Sequence, residues 1–463
     1  MIFRTSSYNI HIDLKNSDQY DLLIHGYTGA LDLVSKELAM HLKTDKLDKI
    51  SAETINSLEK RGYLTEKSPD EERTYIAKIA EIIHNKQKKK NHFLFAVTYD
   101  CNFRCVYCYL NEISTQGKSW SKNTFAKEMV DRAYAAMLEI EPDLKNHDKT
   151  ITLYGGEPLL FENYDIVKHI IDTGVEKGYN FFAITNGYDL NYFKEFLGKE
   201  KLASLQITLD GMQDKHNSRR PHYKNTDSFD KILSNIEMAL DKEIRISLRI
   251  NTDGSNVDDI PDLLSLFKSK GLLENPNLNI NTALAQKYES CIGDTESGVK
   301  QTMDRPKYMD EYYKAKKESN DYRVSCQDYG VTQTLQNAIK TDSLINYKST
   351  FCAAHANMKI FDALGDIYAC WDVIGMEDHK IGSYKENVDL HNDAYDMWVT
   401  RNISNIKSCS KCKYALFCGG GCAGQLALRG IEITKSNCEN FPQVFSKIAN
   451  EIYDTEIVKK LNQ

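Results

Sequence analysis

The chain opens on two stretches in which apolar and polar positions alternate. "YNIHIDL" (8–14) and "YDLLIHG" (20–26) lie on either side of a polar turn, and a period of two there predicts a β-hairpin. The spacing then turns helical over 35–43 and 51–62, with Ser51 placed as an N-cap and Gly62 just past the end. A hairpin followed by short helices predicts a winged-helix-like unit over residues 1–85. The basic run "NKQKKKNH" (85–92) predicts a solvated linker at its end.

From residue 93 the pattern changes to short apolar runs separated by longer helical ones. The runs of strand length are 93–100, 149–156, 180–187, 202–211, 244–251 and 278–286, with helical periodicity over 125–140 and 164–178 among the segments between. Strands alternating with helices predict parallel βα units, so an α/β fold with a partial (β/α)6 barrel is expected over 93–286. Several of these strands end in Gly, Asn or Asp, at the carboxyl edge where such folds gather their sites. A less regular bridging region, 287–350, precedes a cysteine-rich end over 351–463.

Composition narrows the function classes. A net charge of -7 argues against a general nucleic-acid binder, which needs a basic face. No apolar run reaches membrane-spanning length, and the first residues lack the apolar middle of a signal peptide, so no membrane partner and a cytoplasmic setting are expected. In a reducing compartment, twelve cysteines point to metal or iron–sulfur ligation rather than disulfides. They are also clustered, three at 101–108 and five at 409–438.

Cys101, Cys105 and Cys108 follow the first expected strand as C-x3-C-x2-C, with no fourth ligand nearby. Three thiolates can hold three irons of a [4Fe–4S] cluster and leave the fourth open to an outside ligand. A three-thiolate zinc site completed by a distant residue or water is the alternative. With Tyr107 before the last cysteine and "YGGEP" at the next strand end, the pattern resembles the radical S-adenosylmethionine superfamily. The resemblance implies that the open iron chelates the amino and carboxylate groups of S-adenosylmethionine. It also implies that Gly155, Gly156, Glu157 and Pro158 receive the methionine ammonium. "TNG", with Asn186, and "TLDG", with Thr208, end the next strands as in family members, and Arg219 or Arg220 is expected to clamp the cofactor's carboxylate.

The second cysteine field reads C-x12-G-x4-C from Cys352 through Gly365 to Cys370, then C-x2-C-x5-C-x3-C over Cys409, Cys412, Cys418 and Cys422, then Cys438. This series is similar to the SPASM extension of peptide-modifying radical enzymes. The resemblance implies one auxiliary cluster on Cys352, Cys370 and Cys422 and a second on Cys409, Cys412, Cys418 and Cys438, making three [4Fe–4S] clusters in all. Some relatives carry a further cysteine soon after the first. None lies between Cys352 and Cys370, so the first auxiliary cluster is expected to be open at one iron or closed by Cys326. Cys291 and Cys326 otherwise read as ordinary thiols. Gly419 to Gly421 would let the chain wrap tightly and aim N–H groups at cluster sulfurs.

The front unit resembles, more loosely, the recognition element of enzymes that modify ribosomally made peptides, where a leader segment adds as a strand. Together these resemblances imply a maturase that installs a thioether or carbon–carbon cross-link in a precursor peptide by 5′-deoxyadenosyl-radical hydrogen abstraction. The partners implied are the leader-bearing peptide and an electron donor of flavodoxin or ferredoxin type. The alternatives are a peptide epimerase and an anaerobic sulfatase-maturing enzyme. The latter places an acidic base directly after the cysteine equivalent to Cys370, where this chain has Trp371, with Asp372 one further on. A zinc-stapled or ferredoxin-like binding module would explain neither "GGEP" nor the polar strand ends.

Overall fold

The computed structural model describes residues 3–110, 113, 119–225, 227–286, 302–319, 322–341 and 345–461. Cys291 lies outside them. A short strand, β1 (Arg4–Thr5), leads into β2 (Asn9–Ile12), β3 (Tyr20–His25) and β4 (Leu31–Ser35), which pair antiparallel in the order β2-β3-β4. The expected hairpin is therefore present, with a third strand beside it. Ser35 and Ser51 cap the helices Lys36–Lys43 and Ala52–Arg61 through their hydroxyls, and Gly62, at φ 90°, ends the second. β5 (Leu64–Thr65) then returns to pair with β1.

The three-stranded sheet is apolar on both faces. Leu23 and Val34 pack on Ala39, Leu42, Leu58 and Tyr63 of the same unit. Ile10, Ile12, Leu22 and Ile24 pack instead on the C-terminal helix Phe441–Ile452, through Phe445 and Ile448 among others. Each such side chain contributes about 1.5–3 kcal/mol on burial, so the front unit is welded to the end of the chain.

The basic run is not a free linker. The helix Pro69–Gln87 starts with a Ser68/Glu71 capping box and Pro at its first turn, and it continues into the run. Its inner face puts Ile76 and Ala80 in one cluster with Ile403, Ile406, Cys409 and Leu416. Asn357 then donates to the backbone carbonyls of Gln87 and Lys90. The lysine side chains at 86, 88, 89 and 90 do stay exposed.

The six expected barrel strands form in order and pair parallel: β6 (His92–Thr98), β7 (Thr150–Gly155), β8 (Asn180–Thr185), β9 (Leu202–Thr208), β10 (Arg245–Thr252) and β11 (Leu278–Leu284). Four further strands extend this sheet. β12 (Val324–Cys326) adds parallel to β11, β13 (Met358–Asp362) adds parallel to β6, and β14 (Asp366–Tyr368) and β15 (Lys380–Ser383) follow antiparallel. One ten-stranded sheet thus runs through the barrel and into the cysteine-rich end.

Along β7 and β8 fully buried and half-buried residues alternate strictly. The buried set, such as Ile151, Leu153, Phe181 and Ala183, packs with the surrounding helices in the main core. The half-buried set, including Tyr154 and Phe182, belongs to the opposite face, as do Gln206 and Arg249 on the next strands. A parallel sheet covered on both sides would not show this alternation, so one face borders an open lumen. Among the described residues no helix is long and apolar enough to cross a membrane.

Candidate functional site

Cys101, Cys105 and Cys108 sit in the loop that leaves β6, and no disulfide joins any of the eleven described cysteines. The loop is braced by the segment after β9. Arg104 N–H donates to Pro221 O at 2.9 Å, Val106 N–H donates to Arg219 O at 3.0 Å, and Phe103 pairs with His222. Phe103 N–H also donates to Cys101 Sγ at 3.4 Å. Burial pushes the Cys101 thiol well up, with Glu157, Cys105 and Cys108 adding to it, so the three sulfurs lie within electrostatic reach. Burial also raises Cys105, and Arg220 pulls the other way. Thiols this basic keep their protons unless a cation replaces them, and iron is such a cation. The all-thiol donor set fits an iron–sulfur cluster.

The glycines of "YGGEP" are needed by the protein itself. A Cβ on Gly156 would stand 2.2 Å from Asp100 O, and one on Gly155, whose φ is +135°, would stand 2.2 Å from Thr98 O. Gly156 N–H and Glu157 N–H instead donate to Thr98 O and Asp100 O at 2.8 and 2.9 Å, pinning the start of the cysteine loop. The Glu157 carboxylate is occupied as well. It accepts from Thr185 Oγ1 at 2.6 Å, from Leu159 N–H at 2.9 Å and from Asn186 N–H at 2.6 Å. Burial still pushes its pKa up to about 7, against those bonds. Asn186 Nδ2 donates to Asn102 Oδ1 at 2.7 Å, which ties the strand end of β8 to the cysteine loop. Pro158 and Thr208 are buried.

The two arginines divide their work. Arg219 donates through Nη1 to Asp253 Oδ2 at 2.7 Å and Ser255 Oγ at 2.9 Å, and through Nη2 to Asn251 O at 3.0 Å. Its terminal nitrogens are thus engaged by the framework, which leaves it poorly placed for the expected clamp on a cofactor carboxylate. Arg220 acts on Cys105 and donates to Tyr107 Oη at 2.6 Å, while Tyr107 donates to Asp210 Oδ2 at 2.5 Å. Arg219 Nε faces Asp210 Oδ2 at 3.6 Å, whereas Arg220 Nε is buried without a hydrogen-bond partner, as an anionic group beside Cys105 would require.

The second cysteine field folds into two sets. Burial lifts the Cys370 thiol well above its usual value, with Asp372, Cys352 and Cys422 adding to it, and lifts Cys422 to about 12 with Asp372 and Cys352 adding. Burial likewise takes Cys418 to about 12, with Cys409, Cys438 and Cys412 adding to it. The electrostatic neighbours of Cys370 and Cys422 thus include each other and Cys352, and those of Cys418 are Cys409, Cys412 and Cys438. Cys326 ends β12, where its charged neighbours are Asp328, Lys316 and Arg305. Among the described residues, none of the first set is a charged neighbour of Cys326.

Several residues at the junction carry no sequence motif. Asp372 Oδ2 lies 3.9 Å from Cys422 Sγ, and a Cβ on Gly424 would meet that oxygen at 2.5 Å and Cys370 Sγ at 3.0 Å. Burial pushes the Asp372 carboxyl up to about 6, opposed by Arg249 of the lumen face. Tyr109, one residue past Cys108, donates to Trp371 O at 3.0 Å and shares a hydrogen bond with Tyr154. The Tyr154 and Trp371 rings are 5.9 Å apart. The turn Trp371–Val373 therefore bridges the two cysteine fields over the lumen.

The model of the Radical SAM superfamily matches residues 95–267. A GTP 3′,8-cyclase of Campylobacter jejuni is 31% identical over 186 residues, covering 40% of this chain and 54% of that protein. The chain thus spans about half the length of the curated cyclases it matches. A cysteine-type anaerobic sulfatase-maturating enzyme of Clostridium novyi is 23% identical over 392 residues, 78% of this chain and 95% of that protein. Among solved structures, native anSMEcpe with bound AdoMet superposes with a TM-score of 0.58 at 15% identity, covering 80% of this chain and all of that one. Streptococcus suis SuiB bound to precursor peptide SuiA superposes with a TM-score of 0.53 at 12% identity, covering 95% and 99%.

Proposed function

We propose that this chain, whose residues 95–267 match the Radical SAM superfamily, is a peptide-modifying radical SAM enzyme that cross-links a precursor peptide. When bound, a four-iron cluster and S-adenosylmethionine supply a 5′-deoxyadenosyl radical, which takes hydrogen from the substrate. The observation that carries the reading is the three-thiol loop of Cys101, Cys105 and Cys108 opening on a lumen that a second cysteine field roofs through Trp371 and Asp372.

Each part of the chain then has a task. The loop holds the cluster, and the "GGEP" turn with Glu157 and Asn186 fixes the loop's position. The lumen face, with Tyr154 and Arg249, holds the target residue close to the cofactor and away from water. The two remaining cysteine sets would hold auxiliary clusters, which would supply an acceptor for the electron released by the oxidation. The front sheet has edges at β2 and β4, where a leader segment can add as a strand. That SuiB, solved with its precursor peptide, is similar in fold over nearly the whole chain supports this assignment.

A second reading, maturation of a sulfatase, is favoured by Asp372, whose carboxylate stands beside the first auxiliary set although its sequence position is shifted by one. One experiment separates the two. The reconstituted enzyme is incubated anaerobically with a leader-bearing peptide encoded beside it and with a sulfatase-type Cys or Ser peptide. Loss of two hydrogens from the leader-bearing peptide alone supports cross-linking. Aldehyde formation on the second peptide alone transfers the assignment to sulfatase maturation. Absence of deoxyadenosine with either peptide, and without peptide, refutes both.

A further inference from the structure

Arg401 is almost fully buried, and the partners its side chain makes are all uncharged. Nε donates to Ile433 O at 2.5 Å, and Nη2 donates to the carbonyls of Gly420 and Lys435 at 3.0 Å each. Nη1 faces His355 Nε2 at 3.4 Å. That imidazole is neutral, because burial and then Arg401 itself pull its pKa down to about 3, and its Nδ1–H is used on Trp398 O. Among the described residues no carboxylate pairs with this guanidinium.

A buried cation without a counter-ion is costly, so one has to come from elsewhere. Gly420 indicates the source. It lies midway between Cys418, of the second auxiliary set, and Cys422, of the first, and a Cβ there would stand 3.6 Å from Nη1 and 3.8 Å from Nη2. Burial draws the Arg401 pKa down, and the charged groups that oppose it are Cys409, Cys352, Cys422 and Cys418, two from each set. A four-iron cluster with its thiolates is a net anion, and a fixed cation beside it favours the reduced state, which carries one more negative charge.

We propose that Arg401 is a shared counter-cation for both auxiliary clusters and holds both at a raised reduction potential. This rests on the ligand assignment made above. It is a positioning and tuning residue, with no contact to substrate. Its consequence for the reaction is direct. Closing an oxidative cross-link removes two hydrogens from the peptide: one leaves as an atom to the 5′ carbon of the cofactor, the other as a proton to solvent and an electron to an auxiliary cluster, which is reduced by one electron. A cation that stabilises the reduced cluster makes that last step more favourable.

The test is a potentiometric titration of the auxiliary clusters, followed by electron paramagnetic resonance, in full-length protein carrying Cys101→Ala, Cys105→Ala and Cys108→Ala. Arg401→Gln is expected to lower the reduced-to-oxidised ratio of both clusters at least tenfold at a fixed poise, about 59 mV for a one-electron couple. Arg401→Lys, which keeps the charge, is expected to stay within threefold of the parent. Unchanged potentials in a fully iron-loaded Arg401→Gln protein overturn the proposal. If Arg401→Gln fails to take up iron, Arg401→Lys decides: restored loading supports a role for the charge, and equal loss in both overturns it in favour of a pure hydrogen-bond scaffold. If the parent itself holds no auxiliary iron, the ligand assignment fails, and the proposal falls with it for that separate reason.

Discussion

Glu157 offers a test of how the cysteine loop is held. The carboxyl is 2% exposed, and burial pushes its pKa from 4.5 to about 7. A carboxyl whose folded pKa is raised binds its proton more tightly in the folded state. Its contribution to stability is therefore full below about pH 4.5 and is lost as the pH rises through about 7. At 1.36 kcal/mol per pKa unit, the shift removes about 2.5 kcal/mol of stability between pH 5 and pH 8. Glu157→Gln cannot titrate, so this slope should vanish. The amide has a cost of its own, because its NH2 faces either the Asn186 N–H or the Thr185 and Leu159 donors, which we put at roughly 1–2 kcal/mol. The variant should thus be less stable than wild type at pH 5, and equal or more stable at pH 8. Urea unfolding of the metal-free protein, followed by circular dichroism, reads the difference between the two proteins, which cancels the other titrating groups. Parallel loss of stability in both proteins between those pH values would refute the account of Glu157.

Three further outcomes follow from the same geometry. Gly156→Ala drives a Cβ into the backbone carbonyls of Asp100 and Tyr99, which are not free to swing aside, so it should destabilise by roughly 1–3 kcal/mol. Iron analysis should then show loss of about one four-iron cluster per chain, with the auxiliary iron retained. Asp372→Asn should lower peptide modification by about 10²–10⁴-fold if this carboxylate accepts the substrate proton, while deoxyadenosine formation continues; an equal fall in both measurements would assign it to cluster binding instead. Deleting residues 3–66, and keeping the helix Pro69–Gln87 that covers Cys409, should weaken leader-peptide binding more than tenfold and leave uncoupled cofactor cleavage in place, as isothermal titration and deoxyadenosine assays would show.

The parts of the fold that sequence made legible are those with a local signature. The barrel strands are apolar runs, most of them ending in Gly, Asn or Asp, and each announced its own position within a few residues. Ser51 and Gly62 marked both ends of a helix because caps need particular side chains at particular places. What sequence did not announce is pairing between distant segments. β13 lies against β6, and nothing in "MKIFD" says which strand it will meet. The helix Pro69–Gln87 reads past residue 85 because its apolar side has the Cys409 turn to cover, a partner more than three hundred residues away.

The same distinction holds in the site and explains why motif residues turned out to be framework as well. Glycines and a carboxylate at "GGEP" are compatible with a bound cofactor, yet the contacts they make are to Thr98, Asp100, Thr185 and Asn186. A cluster on three thiols needs its loop held to a fraction of an ångström, and a loop has no secondary structure to hold it. The neighbouring strand ends therefore supply the bonds, which makes the motif a joint between strands before it is a binding surface. Arg401, Asp372 and Tyr109 show the converse. They have no motif because their chemistry comes from position alone, a buried charge between two thiol sets and a bridge from one cysteine field to the other. The junction between the two cysteine fields therefore depends on residues that only the folded sheet brings together.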